Sequence, residues 1–436
     1  MTNIKLDFNN VVGKIKPMHA VGQPPIWGVS TEHFHYLKEA HIPYSRLHDV
    51  GGWFGGNLFV DIPNIFRDFN ADVSNPDSYD FTFTDILIKG LIENGVEPYF
   101  RLGITIENYF YIKSYRAYPP KDFQKWAEIC EHIVRHYNEG WANGYFFDIK
   151  YWEIWNEPEG HPDRVRLPMW RGTPEQYYDL YRVTSKHLRK CFGNRIKIGA
   201  YGMWGMYKGC DNEDVRDNED WQNRIAWLMD FFNGFIKMVK DESLPFDFFS
   251  HHSYWNVKQT VEMEKYCEKL LEDAGLGYVE KHLNEWNTHP GCFRIGTSLV
   301  CANATAMLLA MQNTKMDMMC YYDARMSASD YGGMFNAYTQ KPFCLYYGFK
   351  AFGELYTMGM QVSAESNNGD IYVVAAKDGY RSGILISNIG KEDSVSINIS
   401  EYKKAYLIDQ AHEYTETEIS PECFTLSENQ VIYIEL

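Results

Sequence analysis

Little in this chain points to a membrane, a nucleic acid or a disulfide scaffold. No window holds about 18 uninterrupted apolar residues, so no helical membrane span is expected. Basic residues are in deficit: 42 Lys and Arg against 58 Asp and Glu give a formal net charge of −16. Such a surface repels phosphate backbones and anionic lipid at long range, which argues against nucleic acid and membrane as partners. The nine cysteines are odd in number and form no C-x-x-C pair, so neither a disulfide framework nor a zinc ribbon is indicated. The opening MTNIKLDFNN lacks the apolar core and small-residue cleavage site of a secretory leader, and the expectation is a cytoplasmic protein. Internal repeats and low-complexity tracts are absent as well. The glycine-rich run Gly51-Gly52-Trp53-Phe54-Gly55-Gly56 matches neither the G-x-x-x-x-G-K phosphate loop nor the G-x-G-x-x-G fingerprint. No cofactor is expected.

What is present is a large apolar core and many rings. Of 436 residues, 45% are hydrophobic and 23% charged, the composition of a globular chain with one large and one small domain. Aromatic residues make up 16%, with 12 Trp, 32 Tyr and 26 Phe, more than a core alone needs. Flat apolar rings suit the C–H faces of sugars.

From about residue 17 to 350, short strand-like runs alternate with helical periodicity, the pattern of a parallel α/β architecture. Eight strands are expected, over 18–22, 44–50, 97–103, 151–157, 197–202, 247–254, 282–287 and 319–325. The clearest helices are expected over 84–94, 122–137, 174–191, 221–240, 261–274 and 296–313. Eight such units close most naturally as a (β/α)8 TIM barrel. Beyond about residue 353 the runs turn short and β-branched, over 371–376, 383–388, 394–400, 405–409 and 431–436. These imply a small accessory antiparallel β-sandwich. The resulting division is an N-terminal segment over 1–16 that adds a strand to the β domain, a catalytic barrel over 17–353, and the sandwich over 354–436.

The densest chemical signal is Tyr151-Trp152-Glu153-Ile154-Trp155-Asn156-Glu157-Pro158. Strand alternation sets Glu153, Trp155 and Glu157 on one face, with Glu157 at the carboxyl end, which on a barrel is the catalytic end. A second carboxylate, in Asn284-Glu285-Trp286-Asn287, ends the seventh expected strand. Either glutamate alone reads equally well as a capping or salt-bridged residue. Two of them across one mouth, each flanked by Asn and Trp, are what glycoside hydrolysis requires: one protonated to release the leaving oxygen, one ionised to attack carbon or activate water. The adjacent pair His251-His252 raises the question of a metal, but neighbours on a strand face opposite ways, and no metal is expected. Trp204, Trp255, Trp286 and Phe335 are candidate sugar-stacking rings, with a core role open for each, and the 51–56 run reads as a mobile loop bearing rings over the mouth.

The run Trp155-Asn156-Glu157-Pro158 resembles the Asn-Glu-Pro acid/base motif of the clan A retaining glycosidases, and the barrel, over roughly residues 17–350, resembles glycoside hydrolase family 39, the β-xylosidase family. Arg46-Leu47-His48 is similar to the Arg-x-His of strand two, and Asp80-Phe81 with Thr84-Asp85 to the stretch before helix two. Asn94-Gly95-Val96-Glu97-Pro98 is similar to the entry to strand three, and His252-Ser253-Tyr254 to the His-x-Tyr of strand six. Glu285-Trp286-Asn287 and Gly332-Gly333-Met334-Phe335 resemble the nucleophile segment and the loop after strand eight.

The resemblance implies Glu157 as general acid/base and Glu285 as nucleophile in a double displacement with retention. Asn156 would hold the sugar 2-hydroxyl, Tyr254 the nucleophile, His48 and His252 sugar hydroxyls, while the charge of Arg46 would favour ionised Glu285. Burial and the Glu285 charge would keep Glu157 protonated near neutral pH. The implied substrate is a glycoside or oligosaccharide, xylo-oligosaccharides first; the implied assembly is a homo-oligomer. At the end of strand eight the chain departs from the family: Tyr321-Tyr322-Asp323-Ala324-Arg325 stands where a Trp is common, which leaves the glycone open among xylose, arabinose, glucose, galactose and uronides, and leaves endo action open. An inert carbohydrate-binding barrel is the reading from another class; the pair of carboxylates argues against it.

Overall fold

A computed structural model describes residues 1–50, 59–105, 117–163, 169–326 and 330–436; the 51–56 run lies outside them. Eight parallel strands close into a barrel in chain order: Ala20–Gly22, Tyr44–Leu47, Glu97–Leu102, Tyr151–Ile154, Lys197–Met203, Phe248–Ser253, Glu280–Trp286 and Met318–Tyr321. Closure comes from the first strand pairing with the last, Ala20 opposite Cys320. All eight overlap the expected runs, though the second and the eighth stop at Leu47 and Tyr321, short of the expected 50 and 325. The fourth is shorter than expected, because Trp155 and Glu157 take positive φ angles of 75° and 46° and leave the pleat.

The intervening helices start where local chemistry satisfies their first N–H groups. Thr173 and Gln176 form a reciprocal capping box at the head of Pro174–Phe192, with Pro174 in the first turn. Asp122 accepts from Lys125 N at the head of Phe123–Glu139, which ends at left-handed Gly140 (φ 72°). Asn218 and Asn256 cap Glu219–Asp241 and Val257–Asp273 in the same way.

Near the amino-terminal ends of the strands the barrel is filled by an apolar layer of Ala20, Tyr99, Tyr151, Phe248, Met318 and Cys320. The next layer towards the mouth is polar. Arg46, Glu153, Ser250 and Asn284 are all at most 1% exposed there, and each answers another.

Outside the barrel, nine strands form one curled sheet with its own small core, including Ile4, Leu6, Val362, Ile384, Ile386, Val395, Leu426 and Ile432. The N-terminal strand Thr2–Lys14 does join it. It lies antiparallel to Met360–Ser366 but parallel to Asp393–Ile397, so the sheet is mixed and not purely antiparallel. Three of its strands, Met360–Ser366, Glu413–Thr417 and Phe424–Leu426, carry no strong signal in the sequence. The helix Cys344–Met358 runs through the boundary expected at residue 353. It and Ser298–Gln312 contact both the barrel and the sheet, which explains why Ser298–Gln312 is buried almost all round. Ser387 Oγ donates to Ala302 O at 2.7 Å, and Gln312 Nε2 to Lys14 O at 2.8 Å, stitching the two cores together.

Candidate active site

The two candidate carboxyls meet at the carboxyl ends of strands four and seven. One oxygen of Glu157, one oxygen of Glu285 and a ring nitrogen of His252 all lie within 4.8 Å of one another. Their side chains are 14% and 9% exposed, open enough for a ligand and sheltered enough to strengthen every charge interaction.

Strand irregularities aim them. Along strands six and seven, His251 lies opposite Leu283 but His252 opposite Glu285, so strand seven carries one extra residue. That bulge lets Asn284 and Glu285, neighbours in sequence, both face the interior. On strand four the left-handed turn at Trp155 swings its ring out to Trp126 and Trp170, where Nε1 donates to Met169 O at 2.9 Å. Glu157 is then pinned over the mouth, its N–H donating to Tyr201 O (2.9 Å) and Gly202 O (3.2 Å). The expectation that Glu153, Trp155 and Glu157 share one face is therefore corrected: Trp155 faces the helices.

Arg46 organises the site. Its Nε and Nη2 donate to Glu153 Oε2 at 2.9 and 2.7 Å, Nη2 also to Asn156 Oδ1 at 2.5 Å, and Nη1 to Glu285 Oε2 at 3.2 Å. Glu153 in turn accepts from Ser250 Oγ (2.6 Å) and Asn284 Nδ2 (2.5 Å), so this buried pair has the surrounding donors that make such a pair tolerable. With Oδ1 fixed on Arg46, Asn156 keeps its amide nitrogen to donate elsewhere. Glu285 also accepts from the Tyr254 hydroxyl, whose proton burial holds firmly. Glu157 instead meets His252, with Nδ1 at 2.8 Å from Oε1.

Burial pushes Glu157 up to about 7, against the pull of Arg46 and Arg224. It raises Glu285 too, helped by Glu157 and opposed by His252, Arg46 and the Tyr254 hydrogen bond. Burial leads in both; for Glu157 the influences are burial, Arg46 and Arg224, where the resemblance also gave the Glu285 charge a part. His252 is pushed down to about 4 and is neutral, and His48 falls well below the ordinary histidine range through burial and the Arg46 charge. Because Arg46 already lies on Glu285 and Glu157 favours its neutral form, this trio of donors is poorly suited to a divalent cation.

Arg46, Asn156, Glu157, His252, Tyr254 and Glu285 are thus brought together. His48 is 3% exposed, with Nε2 at 3.2 Å from Asp49. Two expected stacking rings are misplaced. Trp286 is fully buried and stacks on Phe349 outside the barrel, and Phe335 is 2% exposed between Tyr36 and Tyr346. Trp286 follows Glu285 on a strand, so once the glutamate faces in, the indole must face out. Of the other two rings, half-buried Trp204 has the Arg224 guanidinium on its face, and half-buried Trp255 packs on Tyr207. Just past strand eight, two of the residues that depart from the family pattern meet each other: Asp323 accepts from Arg325 Nε at 2.8 Å.

Sequence reasoning missed Ser250 and Asn284, and it gave Glu153 no part. It also missed a wall made by Gln23, Asp49 and Tyr322, in which the Tyr322 hydroxyl donates to Asp49 Oδ2 (2.8 Å) and accepts from Gln23 Nε2 (2.6 Å). Tyr331, packed 5.1 Å from the Tyr254 ring, is a further neighbour. A polar residue one position before an expected catalytic residue, as Asn284 is, was the available hint.

Residues 7–284 match the family described as Glycosyl hydrolases family 39. The chain belongs to that family. The matched stretch carries the Glu157 end of the site and stops one residue before Glu285. Two curated relatives of this family 39 chain are named beta-xylosidases. One, from Geobacillus stearothermophilus, is 23% identical over 54% of this chain and 46% of its own length; the other, from Caldicellulosiruptor saccharolyticus, is 24% identical over 58% and 47%. The chain spans about half the length of the curated relatives it matches. Among solved structures, a glucosidase from Croceicoccus marinus superposes with a TM-score of 0.77 at 17% identity, covering 100% of this chain and 98% of that one. A family 39 beta-xylosidase from Caulobacter crescentus gives 0.70 at 17%, covering 100% and 99%. At these identities the likeness establishes the fold.

Proposed function

We propose that this family 39 chain is a retaining exo-β-glycosidase that removes terminal β-1,4-linked xylose from xylo-oligosaccharides. The observation that carries the reading is the approach of Glu157 and Glu285 to within 4.8 Å. An approach of single carboxylate oxygens this close supports the roughly 5–5.5 Å spacing of double displacement over the roughly 6.5–9.5 Å of an inverting site.

In the first step Glu157, protonated near neutral pH, gives its proton to the glycosidic oxygen while ionised Glu285 bonds to the anomeric carbon. Tyr254 and Arg46 hold the attacking carboxylate, and the free amide nitrogen of Asn156 donates to the sugar 2-hydroxyl, a contact that strengthens as the oxocarbenium character grows. Bonding to carbon removes the Glu285 charge. That favours ionised Glu157, which in the second step takes a proton from the water that releases the sugar.

The names of the two curated relatives favour xylose. The glucosidase among the structural neighbours supports a second reading, a hexose in place of the pentose by the same chemistry. A panel of 4-nitrophenyl β-D-xyloside, β-D-glucoside and α-L-arabinoside, with the first-formed anomer read by proton NMR, tests both. Fastest turnover of the xyloside with a β-configured first product is expected. An α-configured first product from the xyloside or the glucoside would refute retention, and sugar binding without turnover on any glycoside would support the inert barrel.

A further inference from the structure

The turn Glu157-Pro158-Glu159-Gly160 is held from outside the barrel wall. Gly160 N donates to Glu157 O at 3.2 Å, closing the turn. Two side chains of the helix Glu219–Asp241, three residues apart and so on one face, reach its carbonyls: Trp227 Nε1 donates to Glu159 O at 2.8 Å, and Arg224 Nη2 to Gly160 O at 2.6 Å. The backbone N–H of Trp204, just past strand five, donates to Glu159 Oε1 at 2.7 Å. The Trp204 indole lies under the Arg224 guanidinium, whose central carbon is 3.3 Å from the ring centroid. Strand five, a helix and the acid-bearing turn are thereby joined at one arginine.

Charge makes the junction more than a brace. Glu159 is fully buried, and burial pushes its carboxyl up to about 8, so near neutral pH it is an uncharged acceptor. Arg224 is half-buried and stays a cation, as guanidinium groups do; its contacts are a carbonyl and an indole, neither of which neutralises it. Among the described residues, the groups facing Glu157 are Arg46 from strand two, Glu159 in its own turn, Arg224, His252 from strand six, Glu285 from strand seven, and the Tyr207 and Tyr331 hydroxyls. Of these, Arg46 and Arg224 favour the carboxylate and ionised Glu285 opposes it. His252, the phenols and Glu159 are neutral near pH 7. Arg46 is committed to Glu153, Asn156 and Glu285 by hydrogen bonds, which leaves Arg224 as the cation whose contacts belong to the acid's own turn.

We propose that Arg224 is a positioning residue for Glu157: it fixes the turn that presents this carboxyl and supplies the positive charge that favours its ionised form in the second step. The proposal rests on the reading of Glu157 as acid/base.

The test uses the full chain with Arg224→Met, which keeps a stem over Trp204 without charge, and Arg224→Lys, which keeps the charge without the planar fork; Arg224→Gln is a second neutral variant should the methionine one not fold. The readouts are pH profiles: kcat/KM on the 4-nitrophenyl glycoside turned over best, and kcat on its 2,4-dinitrophenyl counterpart, where the second step limits. In Arg224→Met the alkaline limb of kcat/KM is expected to move up by roughly one pH unit. Its acid limb of kcat on the dinitrophenyl substrate should move up by a similar amount, so activity lost below pH 6 returns as the pH rises. Arg224→Lys should bring both limbs back towards the parent. A uniform loss at every pH, with the limbs unmoved in both neutral variants, overturns the proposal and leaves Arg224 a structural brace. Glu157→Gln separates the two claims. If the parent's alkaline limb survives in it, the acid/base reading itself fails; if the limb vanishes there but stays put in the neutral Arg224 variants, the Arg224 proposal alone fails.

Discussion

The ends of strands four and seven carry the same side chain in opposite surroundings. At the end of strand seven, Glu285 accepts from a phenol that keeps its proton and from a guanidinium anchored on Glu153. At the end of strand four, Glu157 has a neutral imidazole as its hydrogen-bond partner, and burial outweighs the nearby positive charges. Both glutamates are largely buried, to similar degrees, so burial alone does not distinguish them. The donors differ: the two aimed at Glu285 oppose the effect of its burial and favour its anion, and Glu157 has no such pair, which supports the proposed division of roles.

Substitutions can break this contrast at either end. The largest expected effect is at Glu285. Glu285→Ala should lower kcat by roughly 10⁴-fold or more on every glycoside, because no bond to the anomeric carbon can form; residual turnover near the parent rate in a steady-state assay would refute the nucleophile assignment. Next, Glu157→Gln should lose about 10²- to 10³-fold in kcat/KM on xylo-oligosaccharides, within the usual range for a general acid. On a dinitrophenyl glycoside, whose leaving group needs little protonation, kcat/KM should change far less. Equal losses on the two substrates would equalise the two carboxyls and sink the distinction.

Smaller effects sharpen it. Tyr254→Phe removes one of the two donors that favour the Glu285 anion, and a drop of about 10- to 100-fold in kcat is expected, with the acid limb of the pH profile moving to higher pH. An unmoved limb would mean that Arg46 suffices. The smallest effect is on stability. Since Glu157 holds its proton up to about pH 7 in the folded chain while an unfolded glutamate releases it nearer pH 4.5, the folded state binds more protons between those values. The contribution of Glu157 to stability is therefore greatest below the ordinary glutamate range and is lost as the pH rises through about 7. Glu157→Gln should remove that decline, gaining about 1–2 kcal/mol over the parent in urea unfolding at pH 8 and little at pH 4. Identical pH dependence in the two proteins would show that burial does not burden this carboxyl.

Much of this was legible from residue order. Strands and helices of the barrel follow from alternating and 3.6-residue patterns, and the ends of strands four and seven from Asn-Glu-Pro and Asn-Glu-Trp-Asn. What was not legible depends on neighbours distant in the chain or on departures from regular geometry. Trp286 looked like a mouth residue because it adjoins Glu285, yet a regular strand sends the two opposite ways. Asn284 looked unremarkable because a regular strand would face it away from Glu285; the bulge at that point turns both inward. Phe335 sits in a glycine-rich loop with the look of a binding segment, and only its packing on Tyr36 and Tyr346 shows it to be core.

By itself, then, the order of residues determined the barrel, the strand that the N-terminus adds to the second sheet, and the identity of the two glutamates, because periodicity and short motifs are local properties of a chain. Which carboxyl receives the Tyr254 and Arg46 donors was decided by the tertiary structure alone. Arg46 comes from strand two, His252 and Tyr254 from the end of strand six, and Arg224 from the helix Glu219–Asp241, and the protonation of a carboxyl depends on charges and donors a few ångströms away in space, however far apart they lie in sequence.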